Sequence, residues 1–323
     1  MRRREVVAAL GALATVAGPR SGRAELAGWR IGFLHPGQSA AVAMRVGGFR
    51  EGLGTPDGGG EAVVLERVAQ DRLDELPSLA ATLVAASVQA ICAVSPPGMQ
   101  AARGATGTIP IIVVDLESDP VANGWAASLA RPGGNLTGVF LDLPDFTAKC
   151  VQLLREAVPG MGKLALLWHP ASGSLQLAAA RKAAASIGLA IQVFEVSSVA
   201  EFEPAFRAMA AGGASGLLML SAPLFSGNPK ELVELVRAHR LPAMNQFPDF
   251  AEKGGLLAYG PDVQSMFRQA GAMTRRILQG AAAGGLPIER PVRFRLVVNL
   301  KAAAALGATL PPTLLARADE VIE

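Results

Sequence analysis

IGFLHPGQS, residues Ile31 to Ser39, and LALLWHPAS, residues Leu164 to Ser172, are the two stretches on which the fold turns. Each is a short apolar run that ends in His-Pro and reaches a serine within three residues. A continuously apolar run of this length suits a parallel strand covered on both faces, because neither face meets water. Two more landmarks recur in the same order. AICAVSPP (Ala90 to Pro97) is echoed by GLLMLSAP (Gly216 to Pro223), and Ile109-Pro110 by Leu241-Pro242. The offsets nearly agree: 134 residues from His35 to His169, 126 from Ser95 to Ser221, and 132 from Ile109 to Leu241. Three matches in order point to two copies of one doubly wound unit.

Working outward, apolar β-branched runs alternate with Ala-rich helical stretches from Arg30 onward. Strands are expected over 30–35, 62–68, 90–94, 110–115 and 136–140, and again over 163–168, 190–196, 216–220, 243–246 and 256–259. Helices are expected over 73–86, 146–157, 175–187, 201–211 and 229–239. This βαβ rhythm gives an α/β fold class, two doubly wound parallel-sheet lobes with a ligand cleft between them. Ligands of such sheets bind beyond the carboxyl ends of the strands. Two lobes face to face bring both sets of ends to one interlobe cleft, a favoured place for small-molecule pockets. The polar residues at those ends are His35, Gln38, Ser39, Ser95, Asp115 and Asp119 in the first lobe. In the second they are His169, Ser172, Ser174, Ser221, Asn245 and Gln246. Trp168 and Tyr259 lie beside the expected cleft, where they either stack on a planar ligand or belong to the core.

The 323 residues suit two domains, and with half of them hydrophobic and 18% charged the chain has ample material for a core. The net charge is +3, and Arg2-Arg3-Arg4 account for much of it. The remainder is close to neutral and poor in aromatics, which argues against a nucleic-acid partner. Those arginines precede an apolar run, Val6 to Ala17, too short for the roughly 20 residues of a bilayer span. Basic segment, apolar run and Gly22-Arg23-Ala24 together read as a signal peptide over residues 1–24, cleaved after Ala24, with a periplasmic destination. Cys92 and Cys150, the two cysteines, read as small buried hydrophobes.

Several motifs fail on inspection. His35, His169 and His239 have no partners at metal-ligand spacing, so no metal is expected. Gly160-Met161-Gly162-Lys163 has Ala157 and Leu164 where a phosphate loop needs Gly and Ser or Thr. Gly213-Ala214-Ser215-Gly216 is a helix-to-strand loop and not a nucleophile elbow. No dinucleotide fingerprint follows the first strand, so no cofactor and no enzyme activity are expected. A regulator with a helix-turn-helix headpiece would need about 50 residues before the first strand, where there are only about 29. Asp119 and Asp262 each suit a helix cap or a ligand contact, and Asn135 suits a tight turn. A periplasmic sensor reporting to a membrane signalling partner would need the same fold and export signal.

FREGL (Phe49 to Leu53), LPSLAATLV (Leu76 to Val84), TIPIIVVD (Thr108 to Asp115) and SDPV (Ser118 to Val121) carry a family likeness. So do SLARPGGNLTG (Ser128 to Gly138), LLREAVPG (Leu153 to Gly160), YGPD (Tyr259 to Asp262), VVNLKAAAALG (Val297 to Gly307) and the tail LPPTLLARADEVIE. From about Arg30 to Glu323 the chain resembles the ABC-transporter solute-binding proteins of type I periplasmic-binding fold, in the branch with tryptophan- and phenylalanine-binding members. The resemblance implies a monomeric periplasmic receptor that closes by hinge motion over a small-molecule ligand and delivers it to an ABC permease. It implies ligand contacts from Ser95 and Pro96, Asp119, Asn135 and Thr137, and Asp262. The chain departs from the amino-acid-binding members at Trp168 to Ser172, where they carry Asn and a Glu- or Ser-rich loop. The expected lobes are 30–140 with 263–289 and 141–262 with 290–323, with crossings near 139–145, 259–262 and 290–298.

Overall fold

A computed structural model describes residues 28–56, 60–141 and 143–323, so the expected signal peptide lies outside the described residues. The first sheet has five parallel strands: β1 (Trp29–His35), β2 (Ala62–Val68), β3 (Ala90–Val94), β4 (Ile111–Asp115) and β5 (Leu136–Phe140). Their order is β2-β1-β3-β4-β5. Between them run α1 (Ser39–Leu53), α2 (Leu76–Ala85) and α3 (Ser95–Ala105). Every residue of β3, β4 and β5 is buried, as continuous apolar runs between two helical layers require.

The second half repeats the plan. Helix α4 (Leu143–Ala157) leads into β6 (Lys163–Trp168), α5 (Leu175–Ser186), β7 (Ala190–Glu195) and α6 (Phe202–Ala211). Then come β8 (Gly216–Met219), α7 (Pro223–Gly227), α8 (Pro229–Ala238), β9 (Ala243–Asn245), α9 (Pro248–Glu252) and β10 (Leu257–Pro261). These strands are parallel and ordered β7-β6-β8-β9-β10, the same winding as the first sheet. His35 ends β1 and His169 follows β6; Ser95 follows β3 and Ser221 lies just beyond β8; Pro110 and Pro242 stand immediately before β4 and β9. The recurring landmarks therefore occupy equivalent places.

The remaining chain comprises α10 (Val263–Leu278), β11 (Phe294–Asn299), α11 (Leu300–Leu306), α12 (Pro312–Leu315) and β12 (Glu320–Ile322). Strand β11 joins the second sheet antiparallel to β10, and β12 pairs parallel with β11. Helix α10 packs on α1 and on β3, β4 and β5 of the first sheet, whereas α4 packs on α5, β8 and β9 of the second. The chain thus passes between the sheets three times, between Phe140 and Leu143, between Pro261 and Val263, and between Glu289 and Phe294. One aromatic ring sits at each passage. Phe146, Tyr259 and Phe294 form a triangle with centroids 5.6–5.9 Å apart.

The packing of α1 on α10 is close because glycines permit it. A Cβ on Gly48 would lie 2.5 Å from Gln264 O, one on Gly52 1.9 Å from Arg268 O, and one on Gly271 2.1 Å from Phe49 O. Backbone cannot yield as a flexible side chain does. Gly52→Ala should therefore destabilise the protein by about 1–3 kcal/mol through overpacking. Gly47→Ala, with nothing within 4 Å of the added Cβ, should be neutral or stabilising by about 0.5–1 kcal/mol. Urea melts of the two variants check the contrast; equal effects would contradict it.

Candidate functional site: the interlobe cleft

A cleft of about 1070 Å³ lies between the lobes. Its first-lobe wall includes Pro96, Pro97, Gln100, Glu117, Asp119 and Trp125, and its second-lobe wall runs from Pro170 through Ala178. The strand ends supply both walls, since α3 begins directly after β3, the 116–125 loop follows β4, and the 170–174 turn follows β6. Ser95 makes its sharp strand-to-helix turn at φ +61°, a left-handed conformation that serine rarely adopts. Pro96 and Pro97 then occupy the first turn of α3.

Behind this wall is a buried polar cluster. Asp115, fully buried at the end of β4, accepts hydrogen bonds through Oδ1 from Glu117 N (2.7 Å) and Ser118 N (3.1 Å), and through Oδ2 from the Ser118 hydroxyl. That clamp turns the chain so that Glu117 faces the second lobe, where its Oε1 accepts from Ser221 Oγ at 2.6 Å. Ser221 is fixed in turn by Gln176 of α5. Its N donates to Gln176 Oε1 at 2.8 Å, and its carbonyl accepts from Gln176 Nε2 at 3.1 Å. Gln246 Nε2 adds a 3.2 Å bond to the same Gln176 oxygen. Arg45, buried on α1, makes a second interlobe bond, from Nη2 to Ser226 Oγ at 3.0 Å.

The electrostatics follow from burial. Desolvation first, and then the neighbouring Asp115 charge, push the Glu117 carboxyl well above the ordinary range; desolvation likewise raises Asp115. The two carboxyls lie within hydrogen-bonding reach of each other, so the pair retains a proton where a solvated pair would not. Burial brings the Arg45 guanidinium down to about 10, against the opposing pull of Asp249 and Glu117. Burial and the Arg45 charge hold His35 well below its usual value, and its Nδ1 accepts from Gly37 N at 3.0 Å. His169 Nδ1 sits 3.0 Å from Val196 O; a carbonyl only accepts, so this nitrogen carries the hydrogen. His35 and His169 are strand-end hydrogen-bonding groups, His239 stands at the C-terminal end of α8, and no cluster of three His, Cys, Asp or Glu suited to a metal occurs among the described residues.

Of the residues singled out from sequence, Pro96, Asp119 and Ser172 line the main cleft. Ser95 and His35 line a small cavity of about 30 Å³ directly behind it, together with Glu117 and Arg45. Ser221, Asn245 and Gln246 are buried beneath the second wall, and Asn245 is occupied with its own strand end, accepting from Phe247 N at 3.0 Å. Gln38 hydrogen-bonds Asp71 at the base of α1. Ser39 opens α1, and its side chain lies outside the described residues. Trp168 braces the 170–173 turn, donating to Gly173 O at 2.8 Å.

Four residues lie elsewhere. Asn135 and Thr137 stand at the entering end of β5, opposite the cleft, bonded to Ile109 O (2.8 Å) and Leu286 O (2.9 Å). Tyr259 belongs to the aromatic triangle at the passages between lobes. Asp262 caps α10, accepting from Ser265 N at 2.7 Å. Asp119 corrects one expectation, because no helix starts there. It caps a single turn through Val121 N (2.8 Å) and Ala122 N (3.0 Å), which Gly124 ends at φ +68°. Sequence reasoning missed Glu117, Arg45, Gln176 and Trp125. A signal existed for Arg45, which stands within the apolar stripe Val42, Val46, Phe49 and Leu53 that a helix would bury.

The coupled Glu117–Asp115 pair and His35 set a pH window. Glu117 keeps its proton in the native state above 4.5, where the unfolded chain loses it, so stability falls as pH rises through that range. His35 refuses a proton below 6.5 that the unfolded chain accepts, so stability falls as pH drops below that value. Between 4.5 and 6.5 the two slopes oppose each other. A stability plateau is expected there with declines on both sides, and Glu117→Gln should flatten the alkaline limb. Melting temperatures across pH check this; a midpoint still climbing above neutrality would contradict it.

The family model for ABC transporter substrate binding proteins matches residues 32–322. A tyrosine-binding protein of Clostridioides difficile (strain R20291) is 23% identical over 235 residues, 72% of this chain and 66%, just under two thirds, of that protein. Among solved structures, the ABC domain of Streptococcus pneumonia in complex with L-Trp overlaps with a TM-score of 0.83 at 22% identity, covering 92% of this chain and all of that one. A ligand-free, open substrate binding protein from Clostridium difficile gives 0.64, also at 22% identity, over 91% and 99%. The likeness places the two sheets in the type I periplasmic-binding fold, and with the family model spanning both lobes, the chain belongs to the ABC transporter substrate-binding protein family.

Proposed function

We propose that this protein captures a small solute in the interlobe cleft by hinge closure and delivers it to an ABC permease. The solute carries an apolar or aromatic body and a polar head, as do the tyrosine and L-Trp named for its relatives. The observation that carries this reading is a cleft walled by both lobes and bridged by the Ser221–Glu117 hydrogen bond, a contact that requires the lobes to meet. Residues 1–24 direct export and are removed near Ala24, leaving a monomer in the periplasm. The closing bodies are 30–140 with 263–289 and 141–262 with 290–323. The three passages serve as the hinge, with the Phe146–Tyr259–Phe294 triangle as its packed pivot.

Thermal denaturation of ligand-stripped protein against amino acids, amines, organic acids, nucleosides and sugars tests the reading. A ligand that binds only the folded state adds about 2.7 kcal/mol at a hundredfold excess over Kd, a shift of several degrees. Ala101→Trp places a ring in the cleft from α3 and should abolish the shift. Asp262→Ala should cost about 1 kcal/mol of stability through the lost cap yet leave the shift intact. A shift that survives Ala101→Trp would put the binding site elsewhere.

A further inference from the structure

The chemical character of the cleft narrows its ligand further, and the inference rests on the cleft being the binding site. Among the described residues lining it, the ionisable side chains are Glu117 and Asp119, and no Lys, Arg or His joins them. The rest of the wall is mostly apolar. Trp125 stands half-buried in it, offering the kind of ring face that attracts a cation. On the first-lobe wall the usual backbone device for holding a carboxylate, the free N–H groups of a helix first turn, is impaired. Helix α3 opens on the cleft with Pro96 and Pro97 at its second and third positions, and neither has an N–H to donate. At the floor, Glu117 is 3% exposed, and its second carboxyl oxygen accepts no hydrogen bond from the protein. Once the proton that Glu117 shares with Asp115 leaves, that oxygen is a buried acceptor and costs free energy until a donor reaches it.

We infer that the cleft selects a hydrophobic amine, a solute with an apolar body and a cationic head that Glu117 receives, and that it offers a carboxylate no cationic side chain. Asp119 adds a second negative charge at the mouth. Its Oδ1 is spent on the turn that it caps, so it contributes field more than contact. Binding then exchanges charges. Glu117, held as an acid by burial beside Asp115, gives its proton to solvent as the ammonium arrives, so about one proton leaves per ligand bound. The other groups facing it are Arg45 from α1 and the Ser221 hydroxyl; Asp249 from α9 and His35 at the end of β1 act on Arg45 in turn. His35 is neutral and Arg45 stays charged through the neutral range, so Glu117 and Asp115 supply the exchanged proton. Amine affinity should accordingly rise with pH until the ligand's own ammonium titrates.

Matched triplets test this directly: phenethylamine, phenylalanine and phenylpropanoate, and isoamylamine, leucine and isocaproate. Calorimetry on the intact protein, in two buffers of different ionisation enthalpy, reads both affinity and proton release. The amine of each triplet should bind at least tenfold more tightly than its amino acid, and the acid should not bind. Glu117→Gln keeps an oxygen for Ser221 and should weaken the amine at least tenfold and abolish proton release. Asp119→Asn keeps the turn cap and should weaken the amine by a smaller factor. Tighter binding of the amino acid or the acid, or amine binding unchanged in Glu117→Gln, would overturn the inference. A neutral solute that binds and is lost in Ala101→Trp would overturn it too, while leaving the cleft as the binding site. If no compound of any class binds, both the inference and the cleft reading fail.

Discussion

The hydrogen bond from Ser221 to Glu117 joins the two halves of the molecule through two buried polar side chains. Its strength comes from how little freedom either partner has. Asp115 takes two backbone N–H groups and the Ser118 hydroxyl, which fixes the turn that aims Glu117. Gln176 grips Ser221 by both its N–H and its carbonyl, so the hydroxyl meets the carboxyl already oriented. Each partner sits just beyond the carboxyl end of a strand near the middle of its sheet. The duplicated winding therefore does more than build two similar cores. It turns the carboxyl ends of both sheets toward one cleft, so one short bond, between the loops after β4 and β8, can register the position of one lobe against the other.

The fold was legible because parallel strands buried on both faces leave a strong apolar signature, and because the signature occurs twice. Strand limits read from the sequence match the structure to within one residue for most strands. The helices at α1, α3 and α10 were not placed, and the reasons are physical. Helix α1 carries glycines that weaken intrinsic helix propensity yet are required by the approach of α10. Helix α3 opens on Ser-Pro-Pro-Gly, which out of context signals a turn. Strand β12, three residues long at the sheet edge, has too little pattern to read.

The site was legible as a place more than as a set of residues. His35, Ser95, His169, Ser172 and Ser221 were reached by asking which polar residues end strands, and all five gather at the interlobe face. Asn135 and Thr137 were carried by family likeness alone and stand at the far end of β5. Glu117 escaped although Asp115 and Asp119 on either side of it were named, because nothing local tells which carboxyl of that loop faces the other lobe. Only the hydrogen bonds that Asp115 makes to Glu117 N and Ser118 N show that the next carboxyl is turned inward. Gln176 escaped because a polar residue in the first turn of an Ala-rich helix looks solvent-facing until Ser221 and Gln246, from distant parts of its own lobe, close over it. Pairing across a cleft is a tertiary fact with no local periodicity to betray it.

The orphaned polar atoms at the cleft bear on why closure should wait for ligand. In the closed arrangement Ser95 Oγ, Ser172 Oγ and one Glu117 oxygen are buried without an acceptor or donor to meet them. Each such group costs about 1–3 kcal/mol relative to its hydrated form. Against that stand two interlobe hydrogen bonds, Ser221–Glu117 and Arg45–Ser226, each worth about 0.5–1.5 kcal/mol net, or somewhat more where a charge takes part. The orphaned groups cost more than the two bonds return, so the protein's own polar contacts do not by themselves favour closure. A ligand that satisfies the orphaned groups interacts differently with the open and closed forms, and a differential interaction is what shifts such an equilibrium. The unsatisfied polar groups thereby make closure conditional on an occupant whose chemistry fits them, and a signal that a permease can trust has to be conditional in that sense.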